Sequence, residues 1–227
     1  MKTRHLLFVI ASTGAIAAAA NAQFSYTGFG PAQWGGTDAA LGISGYTIEE
    51  FEDTTLVPNL NIGVNSANGN RPLSTTLPTT FNPFTDDLFG TAFITGAWSG
   101  PNVIINTRTN LSHSYSETGS WGDLLIQFDT PVSSVGFSLD QAENDITLFI
   151  NGQFRGSLFG LASLTTSGDR NGYVRIDATG AELISSITLD NGGGDGWVID
   201  HLAFVPSPGM VGTISLLSAL GLRRRGR

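Results

Sequence analysis

The sequence contains no cysteine, which excludes disulfide bonds and cysteine nucleophiles. Lysine is almost as rare, since Lys2 is the only one. About 180 residues lie between two unusual terminal segments, enough to bury a hydrophobic core in one domain. We therefore expect a single domain whose stability rests on core packing rather than on covalent cross-links.

Familiar catalytic motifs are also missing. The sequence has no G-x-S-x-G, no H-E-x-x-H and no phosphate-binding glycine loop. His113 lies in a polar stretch typical of loops, and we expect His201, in an alternating segment, to be a surface or hydrogen-bonded residue. The sequence thus predicts a protein that is not an enzyme. A secreted glycan hydrolase stays open as an alternative, because two carboxylates suffice for that reaction, although no spacing singles out a pair.

Positive charge is scarce outside the terminal segments. Six of the eleven Lys and Arg residues lie within residues 1–22 and 206–227, whereas all nineteen Asp and Glu residues lie between these segments. The region between them therefore carries a net charge of about −14. Such a surface repels phosphate backbones, which excludes a nucleic-acid-binding role and favours cations as small partners.

Segments of alternating apolar and polar residues predict β-strands along the interior. They occupy residues 60–64, 123–128, 134–139, 146–150, 173–177, 183–189 and 197–204. No sustained helical period separates them. The short spacing predicts an all-β fold, an antiparallel β-sandwich or jelly roll over residues 23–205.

Two stretches predict how these strands are connected. The dipeptide Asn151-Gly152 favours a two-residue hairpin, because both central positions of that turn take positive φ. We therefore expect Gln153–Phe159 to pair back on the preceding strand. The stretch Asn68–Asp87 has three prolines and no alternation, and it predicts a long surface loop.

Residues 1–22 have the three parts of a secretory signal peptide. Lys2 and Arg4 supply positive charge, residues 6–20 are apolar, and Ala20-Asn21-Ala22 places small residues where signal peptidase reads them. We expect cleavage by signal peptidase, so that the mature chain starts at Gln23.

Residues 206–227 form the second unusual segment. Pro206-Ser207-Pro208 is expected to separate the last strand from an apolar helix over Met210–Leu222. Such a helix reaches about 20 Å, less than the roughly 30 Å of a hydrocarbon core. Four arginines follow and would hold this end at the cytoplasmic side of the membrane, namely Arg223, Arg224, Arg225 and Arg227. The segment predicts a transient tether in the inner membrane.

This tail resembles the PEP-CTERM sorting signal of bacterial exported proteins, in which a proline-containing tripeptide precedes an apolar helix and an arginine cluster. Ser207 stands here where the typical motif has glutamate. The segments FEDTTLVPNLNI, PVSSVGFSL and GDGWVIDHLAF are similar to stretches common in PEP-CTERM β-sandwich proteins. The resemblance implies an exosortase-like enzyme that cleaves near the prolines, and a mature protein at the cell surface or in its exopolysaccharide.

These features together predict an exported, non-enzymatic cell-surface or extracellular-matrix protein. A carbohydrate-binding module is the alternative from another class. Trp98 and Trp121 lie among Ser, Gly, Asn and Asp residues, where an exposed ring could stack on a sugar, although tryptophan more often belongs to the core.

The last predicted strand contains an acid that needs a partner. Uninterrupted alternation puts Asp200 on the apolar face of residues 197–204, where a lone carboxylate is unfavourable. Backbone or hydroxyl donors would satisfy it. The alternative is a structural Ca²⁺ ion, for which Glu52 and Asp53 near the first strands would join Asp200 as ligands.

Overall fold

The computed structural model describes residues 24–30, 37–66, 69–77, 102–105, 122–142, 145–164, 170–192 and 196–207. Antiparallel strands dominate these residues, which also contain two short helices. The prediction of an all-β chain is confirmed at this level.

The strands and helices have the following bounds. The strands are β1 (Phe24–Phe29), β2 (Thr47–Glu49), β3 (Leu60–Ser66), β4 (Gly69–Ser74), β5 (Ile104–Ile105), β6 (Asp123–Ala142), β7 (Thr147–Ile150), β8 (Gln153–Ser157), β9 (Arg170–Ala178), β10 (Ile184–Asp190) and β11 (Val198–Pro206). The helices are α1 (Asp38–Leu41) and α2 (Leu158–Ala162).

Strand β6 is the central element, because its two halves pair with different neighbours. The first half lies between β3 and β10, which extends the order to β4-β3-β6-β10-β7-β8. The second half lies between β9 and β11, with β1 beyond β9 and with β2 and β5 beyond β11. All pairs are antiparallel.

The sequence predicted two strands where β6 is one. Its twenty residues run through Pro131, which the alternation had left between two separate segments. Pro131 lies between the two paired stretches, where its missing N–H donor interrupts no cross-strand pair. A proline therefore did not end the strand.

One apolar core contacts residues of both strand groups. Val135, Phe137 and Leu139 point into it from the second half of β6 and are fully buried. The rings of Phe128 on the first half and Phe204 on β11 have centroids 5.1 Å apart. The core thus joins the two groups that share β6.

The predicted hairpin is present, but its second strand is shorter than expected. Asn151 and Gly152 have φ of 53° and 73°, and β7 pairs with β8. The chain leaves β8 after Ser157, whose side chain accepts a hydrogen bond from the backbone N of Gly160 at 3.0 Å and caps α2. Pairing through Phe159 was therefore wrong.

Part of the predicted loop Asn68–Asp87 is a strand. Gly69–Ser74 forms β4 and pairs only with β3 among the described strands, so Pro72 lies on an edge where its missing donor is tolerated. Residues 78–87 lie outside the described residues. Strands β1, β2 and β5 had no sequence prediction.

In the part of the chain that the structure describes, neither helix has the length or the apolar character to cross a bilayer. The predicted signal peptide, residues 1–22, and the tail from Pro208 onward lie outside the described residues.

Candidate functional site

The face of β9, β6 and β11 that points away from the main core carries a second, smaller apolar cluster. Leu41, Ile43, Tyr173 and Ala203 form it, and Phe29, Tyr46 and Ile48 pack against it. Two of its buried residues come from the segment 37–46, which we call the strap. The strap connects with β2 and covers this outer face.

Hydrogen bonds attach the strap to the outer face. Arg175 Nη1 donates to the carbonyl oxygen of Leu41 at 2.9 Å, and the Tyr46 hydroxyl donates to Ser134 Oγ at 3.0 Å. Ser134 Oγ donates to Asp177 Oδ1 at 2.5 Å, and Asp177 Oδ2 accepts from Arg175 Nε at 2.9 Å. The strap is therefore held by one connected polar network.

The strap requires glycine at position 42. Gly42 follows α1 with φ of +69°, a conformation that other residues rarely adopt. A Cβ atom at Gly42 would also lie 2.0 Å from Arg175 Nη1. Glycine thus permits both the turn and the close approach of the guanidinium.

His201 forms a further polar contact with the strap. Its Nδ1 lies 2.8 Å from Glu50 Oε2 and its Nε2 lies 3.1 Å from Asp38 Oδ1, while its side chain is 6% exposed. Ionised carboxylates only accept hydrogen bonds, so both contacts form when the ring carries two protons. We call Asp38, His201 and Glu50 the clasp.

A β-bulge positions His201 in the clasp. The register of β11 on β6 slips by one residue between Asp200 and Ala203, so that His201 and Leu202 together oppose Phe137. His201 has φ of +48°, which is uncommon for a residue other than glycine. The bulge lets this ring reach the outer face while Leu202 stays in the main core.

The same bulge makes the predicted face of Asp200 wrong. Asp200 is opposite Ser138, whereas Phe204 is opposite Val135. Ser138 and Val135 are three positions apart on β6 and lie on opposite faces. Asp200 therefore belongs to the outer face, because the alternation is not continuous along β11.

Asp200 is nevertheless buried, at 5% exposure. Its Oδ1 accepts a hydrogen bond from the backbone N of His201 at 2.6 Å. Burial raises the pKa of Asp200 well above its usual range, and the charges of Glu50, Glu52 and Glu49 raise it further, while the His201 bond lowers it. The ionised form of this acid is therefore disfavoured in the folded state.

Glu49 is a second buried acid beside the clasp. Its two oxygens accept hydrogen bonds from the backbone N atoms of Phe51 and Val57, each at 2.7 Å. Burial raises the pKa of Glu49 despite these two bonds. Through these two hydrogen bonds, Glu49 fixes the backbone of the segment that follows β2.

The three carboxylates predicted to bind calcium have separate partners. Glu52 accepts from the backbone N and Nδ2 of Asn102 at 2.9 and 3.0 Å, and Asp53 accepts from the backbone N of Thr55 at 2.7 Å. Asp200 is bonded as above. Among the described residues, no group of three or more His, Cys, Asp or Glu side chains is arranged to hold a metal ion. Calcium binding through these residues stays a prediction from the sequence.

Another acid pair lies where β6 begins and β10 ends. Asp123 accepts from the backbone N of Asn191 at 3.2 Å, and burial raises the pKa of Asp123, with Asp190 raising it further. Asn191 Oδ1 also accepts from Trp197 Nε1 at 2.8 Å, and this tryptophan is buried. These contacts link Asp123, through Asn191, to a tryptophan of the main core, which is a structural role.

Several predicted site residues lie outside the described residues, as does His113. They are Ala20, Asn21, Ala22, Trp98, Trp121, Pro208, Arg223, Arg224, Arg225 and Arg227. Pro206 and Ser207 are described. Pro206 is the last residue of β11 and pairs with Val132, and the backbone N of Ser207 donates to the carbonyl oxygen of Pro131 at 3.3 Å. The last strand therefore extends one residue beyond the predicted boundary at 205.

The sequence did not predict the clasp or the strap. Asp38 precedes His201 by 163 positions, and no local pattern joins them. The only available signal was an Asp-His pair inside an otherwise apolar strand, which is unfavourable without partners. Chemically, the clasp occupies both ring nitrogens with carboxylates, so it is arranged to form ion pairs that attach the strap.

Comparisons of the chain with protein-family models, with curated proteins and with solved structures gave no match.

Proposed function

We propose that the chain is an exported, non-enzymatic protein of the cell surface or extracellular matrix, sorted by a PEP-CTERM-like tail. The observation that carries this proposal is the order of segments from the last residue of β11 onward. A proline tripeptide, thirteen uncharged and mostly apolar residues and four arginines follow one another. Together with the export signal of residues 1–22, this order suits brief retention in the inner membrane and later processing.

The end of β11 supports processing close to Pro206-Ser207-Pro208. Ser207 makes the last hydrogen bond that ties the described chain to β6. Cleavage just after this residue would leave every described strand pair intact. The folded domain can then remain at the surface, where the resemblance implies contact with exopolysaccharide.

We further propose that this domain is a two-sheet β-sandwich of jelly-roll type. The halves of β6 pair with different strands, as expected for a long strand that contributes to both sheets. A core common to both strand groups, with Phe128 against Phe204, supports face-to-face packing of two sheets.

The tail is tested with the full chain in the cells that produce it. In one variant the four arginines 223, 224, 225 and 227 become serine, and in the matched control they become lysine. Retention by positive charge predicts that the lysine variant is held and processed like the unchanged chain, whereas the serine variant escapes retention and processing. Equal membrane fractions and equal processing of all three chains would contradict the proposal.

A further inference from the structure

The strap is a segment that can leave the outer face without breaking a strand pair. Its amides bond within the strap, from Ala40 to Thr37 O at 2.7 Å and from Ile43 to Asp38 O at 2.8 Å. Helix α1 has only four residues, and so short a helix is unstable in water on its own. Protection of these amides therefore depends on attachment of the strap to the outer face.

The two contacts of the clasp differ in exposure. Glu50 is 24% exposed and belongs to the segment that follows β2, whereas Asp38 is 46% exposed and belongs to the strap. A neutral imidazole has one N–H, and the closer, less exposed Glu50 is the better acceptor for it. The lone pair of Nε2 then faces the carboxylate of Asp38 and repels it.

We propose that the clasp is a pH-dependent latch, which strengthens the attachment of the strap while the ring of His201 carries two protons and weakens it when the ring loses one. Each detachment of the strap uncovers the apolar residues Tyr173 and Ala203 on the outer face. An exported domain would thereby expose this apolar surface more often as its surroundings become more alkaline. This latch goes beyond the proposed function and does not depend on the tail.

Other titratable and charged groups also lie around His201, and their effects on the strap must be distinguished from the effect of the clasp. The neighbouring elements present Glu49, Glu52, Tyr46, Tyr173, Arg175 and Asp200. Burial raises the pKa of Tyr173 well above its usual range, so this phenol stays neutral. Arg175 is paired with Asp177. Asp200 and Glu49 bond to backbone amides outside the strap, so their ionisation does not remove a strap contact.

The test is hydrogen exchange of the full chain, followed by mass spectrometry from about pH 5 to about pH 9, the range in which histidines change charge. Exchange times are scaled for the intrinsic effect of pH. Peptides over the strap are compared with peptides over β10, which serves as an internal reference. Protection of the strap relative to β10 is expected to fall about two- to five-fold as pH rises.

Two variants identify the group responsible. Asp38→Asn offers an oxygen acceptor to the protonated ring and an N–H donor to the neutral ring, so protection of its strap is expected to show no pH step. Asp53→Asn is the matched control, because Asp53 lies outside the strap and accepts a hydrogen bond from the nearby Thr55 amide; it should retain the step of the unchanged chain. Strap protection that is constant with pH, or a step that survives Asp38→Asn, would overturn the latch.

Discussion

The two faces of β9, β6 and β11 are stabilised in different ways. The inner face presents alternating apolar residues of β6, such as Val135 and Phe137, to a core shared by both strand groups. The outer face has a small apolar cluster and a network of charged side chains that hold the strap. The inner face therefore contributes stability that depends little on pH, whereas the attachment of the strap to the outer face depends on a few charged side chains.

The largest difference is expected from a deletion in the inner face. Phe137→Ala removes a fully buried ring and leaves a cavity, which should lower the free energy of unfolding by about 3–5 kcal/mol. Denaturant titration measures this loss. Ser138→Ala, its neighbour on the outer face, is expected to cost about 1 kcal/mol through lost bonds to the backbone of Asp200. Equal losses would remove the distinction between the faces.

A pair of glycines in the strap tests its attachment with a smaller expected effect. Gly42→Ala strains a positive φ and places Cβ against Arg175, so we expect a loss of about 2–3 kcal/mol in the free energy of unfolding. Gly45→Ala is the matched control, because Gly45 also has positive φ but nothing lies within 4 Å of its Cβ position. The control should lose only about 1 kcal/mol. Similar values for both would show that contact with Arg175 does not hold the strap.

The smallest predicted effect is a gain in stability from Asp200→Asn. The folded-state pKa of Asp200 is raised, so its favourable contribution is complete below the unfolded value near 3.8 and is lost as pH rises through the folded value. Asparagine keeps the acceptor for His201 N and removes the buried charge. The free energy of unfolding at pH 7 should therefore increase, and the gain should disappear toward pH 3.

Calcium binding at Asp200 would make Asp200→Asn lose stability in the presence of Ca²⁺ rather than gain it. If Asp200 binds Ca²⁺, the ion raises the melting temperature of the unchanged chain, and Asp200→Asn removes this effect. Melting in excess EDTA and in millimolar Ca²⁺ distinguishes the two cases. Identical midpoints for the unchanged chain, with no metal found by elemental analysis, would leave Asp200 as a hydrogen-bonded acid.

Asn151 and His201 show which local features the sequence could predict. Both have φ near +50°, yet only the Asn151 conformation was predicted, because Asn-Gly favours positive φ through local energetics. The conformation of His201 depends on tertiary contacts with Glu50 and Asp38, which lie far away in the sequence. Periodicity therefore predicted most of the longer strands, and the Asn-Gly dipeptide predicted the hairpin, but neither revealed the bulge.

The site was harder to predict than the fold for the same reason. Alternation along β11 placed Asp200 on the wrong face, since a bulge shifts the register by one residue and leaves no mark in the hydrophobic pattern. The strap has no periodic pattern of its own, because α1 is only four residues long. The burial of Glu49 was not predictable from its neighbours in the sequence, because it depends on how the chain after β2 folds back to donate its backbone N–H groups.

Export and tail processing are tested most directly by the intact mass of the protein isolated from the cells that produce it. The account predicts a chain that begins at Gln23 and ends within Pro206–Pro208, close to the hydrogen bond from Ser207 N to the carbonyl oxygen of Pro131 on β6. A mass that includes Arg227 on every molecule would contradict processing of the tail. A mass that includes Met1 would contradict export through the signal peptide.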